Sequence, residues 1–206
     1  MAASAGAALF KVEHRFVDNA LPERAFADTL QGTDMKFHLA GHSTGGILLG
    51  NLLNALDSVK EPTQISTCTL LAPACPVDFF NQNYAPRLSA SCQGKRLRKM
   101  DVYNLTEKQE LDDNVIKAYR KSLLYLVSNA YERSKGKPLL GMEKFSKTIR
   151  DRKNLEFIYS KVTGKVCRST THGGFDNDTT TMNSLLKRIL GKAPEKPFND
   201  QEMKGY

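Results

Sequence analysis

The sequence has no tryptophan, four cysteines and four histidines, and these shortages narrow the chemistry before any pattern is read. Cys68, Cys75, Cys92 and Cys167 are widely spaced with no CxxC pair. That spacing speaks against a zinc site or a disulfide framework, and so no metal is expected; buried free thiols are the better reading. No run approaches the ~20 apolar residues that a bilayer-spanning helix needs. The longest, Ile47 to Leu56, is interrupted by Gly50, Asn51 and Asn54. The opening MAASAGAALF has no Lys or Arg ahead of its apolar part, unlike a secretory signal, so a cytoplasmic location is expected. Acidic partners are suggested by a net charge of +8 and a pI near 9.3. Yet the densest basic runs, Lys95 to Lys99 and Lys144 to Lys153, have no aromatic platform interleaved, with Phe145 the single aromatic in them, and a solvated basic face fits them better than a nucleic-acid site.

What is present is ordinary for one soluble domain: 206 residues, 40% hydrophobic and 25% charged. Residues 1–34 are poorly defined, with Leu21 to Ala27 as a short helix opened at Pro22. From Met35 strand-like and helix-like segments alternate. Met35 to Ala40, Ile65 to Leu71, Met100 to Leu105 and Leu155 to Tyr159 read as strands. Between and after them, Ile47 to Val59, Val115 to Arg133, Met142 to Arg152 and the stretch from Asp178 or Thr179 to Leu190 read as helices, the last closed by Gly191. Asn81 to Lys99 and Lys161 to Thr171 read as loops, Glu107 to Asp113 as an acidic turn, and residues 192–206 as a loose tail. This alternation predicts a mostly parallel sheet in an α/β domain over 35–191. Asp176-Asn177-Asp178 lacks the glycine and distal glutamate of a calcium loop, so capping of the last helix is the better reading.

The motif that carries chemistry is Gly41-His42-Ser43-Thr44-Gly45, a GxSxG between a strand-like and a helix-like run. Such a turn exposes a serine hydroxyl for attack on a carbonyl. The hydroxyl needs a neighbouring base, most often histidine. His38 lies in the strand entering the turn, His42 is in the turn itself, and His14 precedes it in an unreadable segment. Elimination leaves His172, in Thr171-His172-Gly173-Gly174-Phe175 between the last strand and the last helix.

Together these features resemble the C-terminal two-thirds of an α/β-hydrolase of the serine esterase or lipase type, over about Met35 to Gly191. The resemblance implies a three-layer fold and the chain order Ser, acid, His. The third strand delivers Glu107, Glu110, Asp112 and Asp113; Asp113 is favoured and Asp112 is the alternative. It further implies an acyl-serine on Ser43, a proton carried by His172, and an oxyanion donor in the backbone N–H of Thr44, with no cofactor. The substrate would be a small-molecule or lipid ester. The departure from the family is N-terminal. Several strands and the second oxyanion donor normally precede the elbow, and only 34 residues do here. The domain is therefore N-terminally shortened, a fragment, or completed by another chain as an oligomer. A non-catalytic scaffold acting through protein or acidic-ligand binding stays open as the alternative function.

Overall fold

In the computed structural model the described residues are 36–57, 65–88, 97–114, 120–149 and 153–203. The expected helix at Leu21 to Ala27, any strand ahead of Met35, and Cys92 lie outside them. Four strands form one sheet: β1 (Phe37–His42), β2 (Ile65–Leu71), β3 (Met100–Asn104) and β4 (Leu155–Tyr159). They pair in the order β1-β2-β3-β4, and every pair is parallel. The parallel arrangement sets all four strand ends, and the loops that leave them, along one rim of the sheet.

Side-chain alternation separates two faces. Cys68, Leu70, Met100 and Val102 join Leu52, Leu53 and Leu56 of α1 (Gly45–Asp57) and Phe80 of α2 (Val77–Asn83) in one apolar cluster. The alternate residues of β3 meet the last helix, α6 (Thr179–Leu190), on the other side. There the Tyr103 and Ser184 hydroxyls are 2.9 Å apart, and Arg188 reaches Asp101 at 2.6 Å. Helices thus cover both faces of the sheet, in three layers. No helix among the described residues is long and apolar enough to cross a membrane. Cys68, Cys75 and Cys167 are free and buried.

Several elements differ from the sequence reading. The acidic stretch is helix α3 (Glu107–Asp112), started by a reciprocal capping box between Thr106 and Gln109. Asn81–Asn83 end α2, and a 3-10 turn follows at Ala85–Leu88. Phe80, Tyr84 and Leu88, spaced four apart, all face inward there. The long helix expected over Val115 to Arg133 is interrupted: residues 115–119 lie outside the described set, and α4 (Leu123–Leu126) begins only after Ser122, continuing as a π turn over Val127–Tyr131. Ser122 is extended and caps α4 by accepting from the Tyr125 N–H, while its hydroxyl donates to Glu110. A side chain so engaged is a boundary, and it overrides the apolar periodicity. Within the expected helix at Met142 to Arg152, only α5 (Glu143–Ser146) is α-helical among the described residues. The tail expected to be loose is tied to α6: Asn183 and the Phe198 backbone exchange two hydrogen bonds of 2.8 Å, and Thr179 donates to Asp200.

Asp101 is fully buried, and burial raises its carboxyl above the usual range while Arg188 opposes this. Arg188 also holds Glu156 at 3.0 Å, which fastens α6 across β3 and β4. Arg188→Met is therefore expected to cost about 3 kcal/mol at neutral pH in urea unfolding, because it strands a buried carboxylate. Asp101→Asn in the same background should recover part of that loss; a single variant as stable as the parent would refute the pairing.

Candidate active site

The turn after β1 holds Ser43 at φ 56°, a left-handed conformation that a non-glycine residue occupies only when its surroundings enforce it. They do so through the backbone. The Ser43 N–H donates to the Leu71 carbonyl at 2.9 Å, and its own carbonyl accepts from Gly46 and Ala74 at 3.1 and 3.0 Å. Gly41 is tightly confined, since a Cβ there would lie 3.0 Å from the Gly45 backbone and 2.9 Å from the end of the Leu49 side chain, and both would have to give. Gly46 is similarly confined, with Pro73 3.0 Å from its would-be Cβ, whereas a Cβ on Gly45 would meet nothing within 4 Å. The tight turn thus leans on Gly41 and Gly46 more than on the second glycine of the motif.

His172 comes from the loop after β4, at the start of a 3-10 turn (His172–Gly174). Its Nε2 stands 3.0 Å from the Ser43 Oγ, and the residue is 5% exposed. Burial, and then the neighbouring His42, hold its imidazole down to about 4, so the ring is neutral at neutral pH. Both backbone groups of His172 are tied by side chains. The N–H donates to Asp113 Oδ2 at 2.9 Å, and the carbonyl accepts from His42 Nε2 at 2.8 Å. The remaining ring nitrogen, Nδ1, is buried without a partner among the described residues.

Asp113 stands at the C-cap of α3, and its Oδ1 accepts from the Asn114 N–H at 2.9 Å. Asp112 is exposed, and no hydrogen bond joins it to His172 among the described residues. Ser43, His172 and Asp113 are thus brought together from the loops after β1, β4 and β3, with Asp113 on the backbone of His172 and not on its ring. The Thr44 N–H has no partner among the described residues. Of the other histidines, His38 reaches the Thr67 hydroxyl at 2.8 Å, and His14 lies outside the described residues. Two grooves of about 830 and 350 Å³ are lined elsewhere, by residues such as Lys187 and Arg188 or Phe157 and Tyr159, and neither includes Ser43 or His172. Part of the second basic run is engaged internally: Lys147 pairs with Glu143 at 2.7 Å, and Lys144 lies 4.2 Å from the Tyr125 ring centre. Among the described residues no group of His, Cys, Asp and Glu could hold a metal ion.

One neighbour of the site is among the four acids that follow the third strand in the sequence. Glu110 is fully buried on α3, where its Oε2 accepts from the Ser122 hydroxyl and its backbone carbonyl from the Ser122 N–H at 2.9 Å. This double link closes the base of the segment that carries Asp113. Comparison of the chain with protein-family models, curated proteins and solved structures gives no match.

Burial pushes the Glu110 carboxyl up to about 7 from an ordinary 4.5; Ser122 opposes the rise, and Asp113 and Glu107 add to it. A folded value above the unfolded one contributes stability that is full below pH 4.5 and is lost as pH rises through about 7. Glu110→Gln, which keeps the acceptor for Ser122, should match the parent in urea unfolding at pH 4. It should gain on it by about 1.4 kcal/mol per pH unit through that window. Parallel stability profiles would contradict a protonated, buried Glu110.

Proposed function

We propose that the chain is a serine hydrolase of the α/β-hydrolase type, cleaving an ester or related acyl bond through an acyl-serine. The observation that carries this reading is Ser43, held at φ 56° with its hydroxyl 3.0 Å from the Nε2 of a neutral, buried histidine. A strained serine within reach of a base is the arrangement that makes a hydroxyl nucleophilic. The order of elements supports it: nucleophile after β1, acid after β3 and base after β4 of a sequentially ordered parallel sheet, as in the C-terminal two-thirds of that fold.

In this mechanism Ser43 Oγ attacks the acyl carbonyl while His172 Nε2 takes the hydroxyl proton. The Thr44 N–H faces the developing oxyanion as one donor. His172 then returns the proton to the leaving alcohol, and water, activated by the same imidazole, releases the acid. A neutral ring that accepts at Nε2 must carry its hydrogen on Nδ1. That N–H is buried and needs an acceptor. Asp113, already bonded to the same residue, supplies one if its carboxylate turns from Asn114 N–H to Nδ1–H. The turn stabilises the imidazolium and raises the histidine from about 4 toward its usual range.

Fluorophosphonate labelling of the parent and of Ser43→Ala is the direct test, with labelling of the parent alone expected. Equal labelling of both, or none on a folded chain, would favour the non-catalytic scaffold. His172→Ala should lower p-nitrophenyl ester turnover by about 10³-fold or more without loss of fold by circular dichroism. The acid limb of the pH profile separates the carboxylates. Asp113→Asn should cut the rate by roughly 10²- to 10⁴-fold and move the limb down toward pH 4. Asp112→Asn should do neither, and the reverse pattern would reassign the acid.

A further inference from the structure

We infer that His42 is a positioning residue that clamps the loop of His172 onto the serine turn through its Nε2–H and the His172 carbonyl. The inference deepens the hydrolase reading and rests on it for its kinetic consequence alone. The loop between β4 and His172 has no regular structure, so the placement of the ring depends on discrete bonds. Two of them bracket the residue itself. Asp113 holds the N–H side at 2.9 Å, and His42 holds the carbonyl side at 2.8 Å. His42 is also the last residue of β1, paired with Leu71 and adjacent to Ser43. The clamp therefore ties the residue that carries the base to the residue next to the nucleophile.

A carbonyl only accepts, so His42 donates from Nε2 in this bond. In the neutral ring Nδ1 is then the bare nitrogen, and the carboxylate of Asp176 faces it at 3.9 Å. In the protonated ring both nitrogens carry hydrogen. The Nε2 donor survives either way, and the clamp holds across pH. Phe175, fully buried, lies against the same ring with centroids 6.3 Å apart, and the two imidazoles stand 5.3 Å apart. Among the described residues the titratable groups around His42 are thus His172 and Asp176, and those around His172 are His42 and Asp113. The proximity of the imidazoles makes His42 one of the two influences that hold His172 low. His42 thus acts on the base twice, as a donor that places it and as a ring that lowers its basicity.

Two substitutions separate these effects. His42→Phe keeps a ring and removes both donor and charge; His42→Gln keeps a donor and removes the charge. Fluorophosphonate labelling should slow about 10- to 100-fold in His42→Phe and stay within about threefold of the parent in His42→Gln. In both variants the His172 ring, followed by long-range proton–nitrogen NMR, should titrate at higher pH than in the parent. A residue that only fills space would leave that titration unmoved and would not be rescued by glutamine. His42→Ala reports the same loss of donor if the phenylalanine variant does not fold. Parent-like labelling together with a parent-like His172 titration in His42→Phe would overturn the inference. An unreactive parent whose His172 signals still respond to His42→Phe would instead sink the hydrolase reading and leave the clamp standing.

Discussion

The arrangement around Ser43 depends on the two hydrogen bonds that grip the backbone of residue 172. Ordering an irregular segment costs roughly 1–2 kcal/mol per residue in backbone entropy, and the chain between β4 and His172 offsets that cost with scattered bonds. Ser160 donates to the Ser169 carbonyl at 2.5 Å, Gln109 reaches the same carbonyl at 3.3 Å, and the Arg168 N–H meets Asp178 at 2.6 Å. The first closes the loop on itself, and the other two tie it to α3 and to the cap of α6. Among the described residues only the Asp113 and His42 side chains hold the backbone of the histidine, while its ring meets Ser43.

This convergence is a property of the sheet. Parallel strands release their chains at one rim, so residues far apart in sequence meet there without any loop crossing the domain. β3 is the keel: all five of its residues are buried. Its apolar side faces the α1 cluster, while Asp101 and Tyr103 bind α6. Because α6 follows the histidine loop directly, the Arg188 contacts that seat α6 also limit how far that loop can drift. A charge network on one face of the sheet therefore has consequences at the rim.

The strands were legible for different reasons: Ile65–Leu71 carries the β-branched Ile65, Thr67 and Thr69, whereas Phe37–His42 has none and is legible from its place before the GxSxG turn. Ser43 and His172 were legible for a different reason: a motif and the scarcity of histidine. The errors share a cause. Ser122 and Glu110 are polar residues inside segments read by apolar period or by charge, and their burial follows from a partner that the linear pattern does not show. The Thr106-x-x-Gln109 box and the Phe80, Tyr84, Leu88 spacing were readable signals for α3 and for the turn after α2. No local signal pointed to His42, since its acceptor is the carbonyl of a residue 130 positions away.

The acids around α3 divide their work by environment. Glu110 and Asp113 lie three positions apart, close enough on a helix to share a side. Two carboxylates so placed disfavour each other's ionisation, and the one with less water yields. Glu110, fully buried and raised to about 7 in part by Asp113, is the one that holds its proton to higher pH. Asp113, at the C-cap and only partly buried, reaches the N–H of His172. When protonated, Glu110 places no second negative charge near Asp113, and its two bonds to Ser122 tie α3 to the start of α4. A glutamine in its place would satisfy the same geometry, so the carboxyl at position 110 matters for how its charge depends on pH and not for the bond it accepts.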